Sequence, residues 1–473
     1  MLSRPLRTLL ITVLTVACSS SADRRGATVL FASGADLQSI NPLLTVHPLA
    51  RQVQRYVLLT TLARYDSALT PRPYLARSWD WSPDRRRLTL HLETAVHWHD
   101  GRPTTSRDVA WTLNAARDPA TGYPRANEVA PIESISAPND STAILRFDVP
   151  QAVFPDVLTD LAILPAHLLE SVPPGELRRA RWTRSPVGNG PFRFLSHEAN
   201  RRWVFSANRS FPEALGGPPR LDRFIVVVVD EPTTKLAALT SGELDFAGIQ
   251  PAHAAFVERD PNLRVVSYPL LMTYGIVFNT RSAPFNQLRV RRALSDAIDR
   301  DELVQGYIYG FGIPAVGPVP PGTPNYLPIQ VGPSAATLPQ RISFELLTVG
   351  SGEAALEQMV QARLRTAGFD LTIRQLELSA FLARVYGSRP DFDAAVLGIP
   401  GDLGLGYLGP LAALAGLDLP PDPAKSQRMF ADSLPVAFLY HARGLQGMSR
   451  RVHGVTMDLR GELPTVQDWW VEP

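Results

Sequence analysis

The stretch RFIVVVVDEPTTKLAALTSGELDF, residues 223–246, decides the fold class. Its first seven residues place apolar side chains on both faces of a strand, as a sheet that is covered on both sides requires. Pro232 then begins a predicted helix through Leu236 and Leu239, and Gly242 gives this helix a C-terminal stop. The following LDF begins another strand. The stretch therefore predicts a βαβ unit.

The same order of elements recurs elsewhere in the chain. In residues 356–373, three apolar side chains at helical spacing are followed by Gly368 and then by an alternating strand pattern. Residues 87–93, RLTLHLE, also alternate, and Thr105 with Asp108 offers a capping-box start for the helix that follows. We therefore predict an α/β protein with mixed β-sheets.

Length and charge narrow the class of protein. The chain has 473 residues, which exceeds a single core and predicts two or three lobes. Its 47 basic and 45 acidic side chains leave a formal charge of +2, and no block of like charge exceeds a solvated face. This balance argues against a nucleic-acid partner.

The N-terminus has the pattern of a secreted protein. A basic start is followed by the apolar run 9–17, and Ala17 directly precedes Cys18, the one cysteine of the chain. We predict a signal peptide over 1–17, because the run is shorter than the roughly 20 apolar residues of a membrane span. The small, polar residues that follow, up to 26, predict a flexible tether.

The residues before the cut resemble a known motif. Thr15-Val16-Ala17-Cys18 is similar to the lipobox of bacterial lipoproteins. The resemblance implies that Cys18 is acylated and becomes the new N-terminus, held at a membrane by its acyl chains. The alternative is a plain secreted protein that is cut elsewhere and keeps a free thiol.

Four further segments resemble one family. They are DGRPTTSRDVAWTL (100–113), PVGNGPFRF (186–194), LAALTSGELDF (236–246) and FNTRSAPFNQLRVRRALSDAIDRDELV (278–304). All four look like signature segments of the family 5 extracellular solute-binding proteins, the oligopeptide-, dipeptide- and nickel-binding receptors of ABC importers. The segments occur in the family's order, and the resemblance runs from about residue 27 to 402 and resumes near 433.

The resemblance implies a type II periplasmic-binding-protein fold, a clamshell of two lobes with an inserted subdomain. Two chain crossings join the lobes, and the ligand is enclosed in the cleft between them. The implied boundaries are 27–48, 182–266 and 452–473 for lobe one, 49–181 for the inserted subdomain, and 267–451 for lobe two.

FDAAVLGIPGD, residues 392–402, resembles the family segment that pairs with a bound peptide as an added strand. The resemblance implies ligand contacts from Gly398, Ile399 and Gly401, and a role for Asp402 as acceptor of the peptide's α-ammonium. Ile399 stands where oligopeptide receptors have a tryptophan, and Pro400 has no N–H to donate. The alternative for Asp402 is a solvated aspartate after a glycine turn.

Three more residues are candidates for the cleft. By resemblance, Tyr123 of the inserted subdomain reaches the cleft edge; the alternative is a loop tyrosine packed on its own lobe. Tyr274 and Asn279 follow the first crossing and are expected to face the cleft, but a strand pair that holds the hinge explains them equally well.

Lobe two is predicted to be shortened. Only 32 residues separate Asp402 from Pro435, fewer than the family commonly has. By comparison with the family, the remaining stretch, LGLGYLGPLAALAGLDLPPDPAKSQ (403–427), is predicted to be a shortened loop in place of the helices that wall the cleft.

The sequence predicts no metal site, no cofactor and no catalytic residue. His97 and His99 would share a face of an extended chain, but no third ligand has suitable spacing. PVGNGPF lacks the lysine and helix start of a phosphate loop and is interpreted as a tight turn. No motif of a serine hydrolase or zinc protease is present.

The leading hypothesis is therefore a lipid-tethered, monomeric receptor on the extracytoplasmic side of a bacterial membrane. It captures a small solute, above all a short peptide, and presents it to an ABC permease. The alternative is an extracellular sensor or assembly protein on a degenerate receptor scaffold, which the shortened lobe two suggests. An enzyme such as a glycoside hydrolase is the third hypothesis.

Overall fold

The computed structural model describes residues 26–45, 47–329, 340–350, 352–387 and 389–472. The predicted signal peptide and Cys18 lie outside these ranges. Within them, no helix combines the length and the apolar character that a membrane span needs.

The strands of the described residues are β1 Thr28–Ser33, β2 Ala63–Tyr65, β3 Pro71–Pro73, β4 Ala76–Trp81, β5 Arg87–Leu92, β6 Ile132–Asn139, β7 Thr142–Phe147, β8 Phe192–Glu198, β9 Arg202–Ala207, β10 Arg223–Val228, β11 Phe246–Gly248, β12 Leu263–Phe278, β13 Gly312–Pro314, β14 Ile342–Val349, β15 Phe369–Leu376, β16 Ala394–Pro400, β17 Val436–Ser449, β18 Val452–His453 and β19 Trp470–Val471.

The α-helices of the same ranges are α1 Pro48–Gln52, α2 Ser106–Arg117, α3 Ala126–Val129, α4 Val157–Asp160, α5 Ala166–Leu169, α6 Arg181–Arg184, α7 Pro232–Thr240, α8 Ala254–Glu258, α9 Leu288–Ala297, α10 Arg300–Gly306, α11 Ala355–Thr366, α12 Leu378–Tyr386, α13 Leu408–Leu414 and α14 Pro423–Ser433. The π-helical segment Val53–Leu58 continues α1, and five short 3₁₀ turns complete the helical elements of the described residues.

One mixed sheet of eleven strands runs through the described part of the molecule. Its order is β15, β14, β16, β12, β17, β11, β1, β10, β9 and β8, with β13 added on β17. The long strands β12 and β17 pair with each other, and their register shifts between Pro269 and Thr273. Before this shift β17 also pairs with β11, and after it β12 pairs with β16. These two strands are therefore the crossings between the lobes.

Lobe one is built around β1, which pairs in parallel with β10 on one side and with β11 on the other. The predicted βαβ unit is confirmed, with α7 connecting β10 to β11. Trp469, near the C-terminus, is fully buried, and its ring lies 4.7 Å from that of Phe246. The last residues of the chain therefore return to the core of lobe one.

The inserted subdomain is a four-stranded antiparallel sheet in the order β4, β5, β7, β6, covered by α2. The strand predicted over residues 87–93 is confirmed as β5. The predicted capping box of Thr105 and Asp108 begins α2. Its apolar residues, such as Leu88 and Leu113, belong to the same core cluster as Val29 of lobe one.

Lobe two has apolar cores on both faces of its part of the sheet. One core contains Phe278, Val360 and Leu364, which confirms the predicted stripe of α11. The other contains Leu347 and Phe438 and is covered by α12, α13 and α14. The helices on both faces explain why these strands are apolar on both sides.

The prediction of a loop over residues 403–427 is wrong. This stretch contains α13 and the start of α14. Leu408 and Leu411 of α13 and Phe430 of α14 are buried in the second core of lobe two. Pro423 stands in the first turn of α14, where a proline's missing N–H costs no hydrogen bond. The apolar stripe of α13 therefore prevails over the glycine and proline content of the stretch.

Candidate functional site

The outer edge of β16, near the crossing of the lobes, is open. β16 pairs with β12 along its whole length, whereas β14 pairs with it only at Ala394 and Ala395. No strand of the described residues lies beside Gly398 or Pro400 on the outer side. The C-terminal half of β16 is therefore available to an added strand.

Strand alternation decides which backbone groups this edge presents. Just after β16, the Gly401 N–H donates to the Leu271 carbonyl of β12 at 2.7 Å. Odd-numbered residues of β16 therefore bond to β12, and Gly398 and Pro400 point their backbone groups outward. Since proline has no N–H, the edge offers the Gly398 N–H as donor and the Gly398 and Pro400 carbonyls as acceptors.

Asp402 follows this edge and is exposed. Its carboxylate accepts hydrogen bonds from the Gly406 N–H at 2.9 Å and the Tyr407 N–H at 3.1 Å, so it holds the turn that leads into α13. The Tyr407 hydroxyl donates to the Pro318 carbonyl at 2.9 Å. Burial, and then the charge of Asp402, raises the pKa of Tyr407 above its ordinary value, so this phenol stays protonated at neutral pH.

The loop after β16 meets the inserted subdomain at Asp156. Asp156 Oδ2 lies 3.4 Å from the position that a Cβ atom would take on Gly404. Asp156 Oδ1 accepts a hydrogen bond from the Tyr65 hydroxyl. Burial, and then this hydrogen bond, raises the pKa of Tyr65, so the phenol remains a donor at neutral pH. The open edge of β16 therefore ends where lobe two approaches the inserted subdomain.

Four of the predicted residues, Gly398, Ile399, Gly401 and Tyr274, lie with Asp402 at this end of β16. The ring of Tyr274 lies 3.4 Å from the position of a Cβ atom on Gly398 and stacks on Tyr440 with 4.9 Å between ring centroids. Ile399 points to the opposite face of the sheet and is 7% exposed. Gly398 and Tyr274 therefore share one face of the edge, and Ile399 packs into the core.

Tyr123 and Asn279 lie away from the open edge of β16. Tyr123 is 6% exposed within the core of the inserted subdomain, and burial raises its pKa to about 12. Asn279 lies at the end of β12 opposite to the crossing, where its side-chain amide donates to the Phe392 carbonyl at 2.9 Å. It lines a polar cavity of about 270 Å³ with residues that include Glu345 and Arg384. Neither residue joins the group around Asp402.

His97 and His99 belong to the junction between the inserted subdomain and lobe one. His97 is exposed, and its Nδ1 contacts the Ala95 carbonyl at 3.0 Å. His99 accepts a hydrogen bond from the Gly188 N–H at 3.2 Å and contacts the Gly190 carbonyl at 3.0 Å. Burial lowers the pKa of His99 to about 4, so its ring is neutral at pH 7.

The glycines of PVGNGPF are required by a close approach of two backbones. A Cβ atom on Gly188 would lie 2.0 Å from the Leu58 carbonyl oxygen, and one on Gly190 would lie 2.6 Å from the Leu58 carbonyl carbon. Asn189 between them accepts a hydrogen bond from the Thr60 N–H at 2.9 Å. The motif is therefore a structural joint between lobe one and the inserted subdomain.

Comparison with known proteins decides the family. The family model described as bacterial extracellular solute-binding proteins, family 5 Middle, matches residues 70–407, more than half of the chain. The chain belongs to this family. The resemblance predicted from the sequence is thereby confirmed. The family consists of extracellular solute-binding proteins and is not a family of enzymes.

Solved structures confirm the fold of this solute-binding protein. The ABC transporter substrate-binding protein CtaP from Listeria monocytogenes is 18% identical, with a TM-score of 0.84 and coverage of 95% of this chain and 100% of that one. The oligopeptide-binding protein AppA from Bacillus subtilis, solved with a nonapeptide, is 21% identical, with a TM-score of 0.75 and coverage of 95% and 100%.

A relative from Brucella ovis, named as an ABC transporter peptide-binding protein, is 34% identical over 242 residues. The match covers 51% of this solute-binding protein and 45% of that relative. The matched region thus spans less than half of the relative's length.

Proposed function

We propose that this protein captures a short peptide between its two lobes and delivers it, chemically unchanged, to the permease of an ABC importer. The observation that carries the proposal is the open edge of β16. This edge ends at Asp402, close to the contact between lobe two and the inserted subdomain. A peptide added to this edge gains backbone hydrogen bonds that do not depend on its side chains. The names of the Brucella and Bacillus relatives support the same ligand class.

Asp402 is proposed to accept the ammonium group of the peptide. It has no salt-bridge partner among the described residues, and its charge lies at the end of the edge on which a peptide strand would lie. The segment after Asp402 is helical and packs into a core of lobe two, which weakens the case for a degenerate scaffold.

The test compares a free tripeptide with its N-acetylated form by isothermal titration calorimetry. Asp402→Asn is expected to weaken binding of the free tripeptide about 10- to 100-fold and to leave the acetylated one almost unchanged, since tenfold corresponds to about 1.4 kcal/mol. Asparagine keeps one of the two oxygen acceptors that hold the turn. Asp418→Ala, at an exposed aspartate of the same lobe, is the matched control. Equal losses for both tripeptides would refute the role of Asp402.

We further propose that acylated Cys18 anchors the protein on the extracytoplasmic side of the membrane. Several acyl chains on one residue give firm membrane binding, because each buried methylene contributes about 0.8 kcal/mol. Cys18→Ser is expected to shift the protein from the detergent phase to the aqueous phase in detergent partitioning and to abolish fatty-acid labelling, whereas Ser19→Ala changes neither. A wild-type protein that takes up no label would contradict the anchor.

A further inference from the structure

A buried carboxylate on α11 has no cation to balance its charge. Glu357 is 7% exposed and lies on the face of α11 that also buries Val360 and Leu364. Its Oε1 accepts a hydrogen bond from the Thr348 hydroxyl of β14 at 2.6 Å, and it forms no salt bridge with the described residues. A buried glutamate normally has an ion-pair partner, because an unpaired charge is costly to remove from water. The described part of the chain therefore leaves the charge of Glu357 unbalanced.

Three tyrosine rings belong to the same core face of lobe two. Tyr274 stacks on Tyr440 with 4.9 Å between the ring centroids, and the ring centroid of Tyr307 lies 6.3 Å from that of Tyr440. Burial, and then the charge of Glu357, raises the pKa of Tyr307 above its ordinary value, so this phenol stays neutral at pH 7. Aromatic faces attract cations that lie within about 6 Å of the ring centroid. A buried anion and a group of aromatic rings therefore occur together on this face.

The tyrosines lie in the same row of the sheet as Gly398 of the open edge. Gly398 pairs with Tyr274 of β12, which pairs in turn with Tyr440 of β17. Paired residues of adjacent antiparallel strands point their side chains to the same face of the sheet. A Cβ atom on Gly398 would lie 3.4 Å from the Tyr274 ring, so the glycine leaves this ring uncovered at the edge.

The carboxylate of Glu357 lies on the same face, beside the gap between β14 and β16. The two strands pair in parallel where Leu346 lies opposite Ala394, and they separate after the next residue. Because side chains alternate along a strand, Thr348 of β14 points to the same face as Leu346, and Gly398 of β16 to the same face as Ala394. The Thr348 hydroxyl and the Glu357 carboxylate bound to it therefore stand on the face of Gly398, where the gap for an added strand begins.

We propose that this protein selects peptides that carry a basic side chain, lysine or arginine, beside Gly398, bound by the tyrosine rings and Glu357. The inference rests on the proposed capture of a peptide and adds a specificity for the ligand's side chain. A peptide residue that pairs with Gly398 directs its side chain to the face of Gly398, since strand partners share a face. Its alkyl part covers the Tyr274 ring, and its cationic end gives Glu357 the ion-pair partner that the described residues do not supply.

Glu357 and Asp402 differ in position and in burial. Asp402 is exposed, follows β16 and holds a turn through the Gly406 and Tyr407 N–H groups. Glu357 is buried and stands beside the strand itself, on the face to which a peptide side chain points. The two carboxylates therefore bind different cations of one peptide, the terminal ammonium group at Asp402 and a basic side chain at Glu357.

The test measures binding of tetra-alanine, and of tetra-alanine with lysine or norleucine at one position, to the full-length protein by isothermal titration calorimetry. Four extended residues span about 13 Å, so the series samples the edge around Gly398. Norleucine keeps the methylene chain of lysine without its charge. At one position, lysine is expected to bind at least tenfold more tightly than norleucine, and Glu357→Gln is expected to remove this difference. Glu353→Gln, at an exposed glutamate just before α11, is the matched control and should keep it.

The wild-type series decides the matter even if Glu357→Gln does not fold. No preference for lysine over norleucine at any of the four positions would overturn the specificity, and peptide capture stands if tetra-alanine binds. A preference that persists in Glu357→Gln would belong to another acidic group and would equally overturn the role of Glu357. If none of the peptides binds, the proposed capture of a peptide fails, and this inference fails with it.

Discussion

Asp160→Asn is expected to lower the free energy of unfolding by about 4 kcal/mol, because it leaves several arginines without their common anion. Asp160 lies in the inserted subdomain with its side chain 10% exposed. It forms salt bridges with Arg51 at 2.6 Å, with Arg55 and with Arg125. Asparagine keeps the shape of the side chain but not its charge, and the arginine groups then repel each other.

The pH dependence of this contribution follows from the pKa of Asp160. Burial by itself would raise this pKa, but the three arginines outweigh burial and hold it well below its ordinary value. A lowered carboxyl pKa stabilises the folded state above the unfolded-state pKa of about 3.9, and the contribution is lost as the pH falls through the folded-state value. The difference in unfolding free energy between wild type and variant should therefore have its full value at pH 7 and be smaller at pH 3.

Urea unfolding at the two pH values measures the effect. The control is Asp370→Asn, which breaks an exposed pair with Arg341 whose side chains are 48% and 58% exposed. This control should cost less than about 1 kcal/mol, because exposed ion pairs contribute little. Similar losses for Asp160→Asn and the control would show that the arginine cluster does not depend on Asp160.

Local patterns in the sequence predicted several of the elements, because periodicity and capping act over few residues. The strand β10, the helix α7 and the capping box at Thr105 follow from short-range spacing. The resemblance supplied the order of the lobes, which no local pattern contains. Trp469 shows this limit, since its place beside Phe246 of lobe one depends on how the whole chain returns.

The residues around the candidate site were predictable only in part. The segment that ends at Asp402 was found by resemblance, but Asp156 was missed because it meets Gly404 through tertiary folding alone. The helix α14 was missed although its start carries a clear signal. Asp422 caps it by accepting from the Lys425 N–H at 2.7 Å, with Pro423 in the first turn.

Asp245→Ala is expected to cost about 3 kcal/mol of unfolding free energy, because it removes the buried carboxylate from an ion pair whose guanidinium side chain is only 29% exposed. Asp245 is 1% exposed and precedes β11. Both of its oxygens lie 2.7 Å from the Arg451 guanidinium, and Oδ2 also accepts the Leu30 N–H of β1 at 2.9 Å. The same guanidinium donates to the Thr28 carbonyl at 2.8 Å.

This pair connects three segments that are distant in sequence. Arg451 lies directly after β17, where the chain returns to lobe one. When Asp245 is removed, Arg451 no longer links β1, β11 and the C-terminal segment, so we expect all three to become less stable. The Leu30 N–H loses its acceptor as well, and a buried donor without a partner costs about 1–3 kcal/mol. Hydrogen exchange of the Leu30 amide should therefore accelerate in the variant, as a local readout of the same change.

A double-mutant cycle with Arg451→Met separates the ion pair from the general effect of truncating two side chains. The double variant removes both charges, so it should lose less stability than the two single variants lose together. The difference is the coupling energy of the pair. Urea unfolding of the four proteins gives this energy, and purely additive losses would show that Asp245 and Arg451 contribute independently. Coupling would identify the pair as an interaction that holds the C-terminal segment on lobe one.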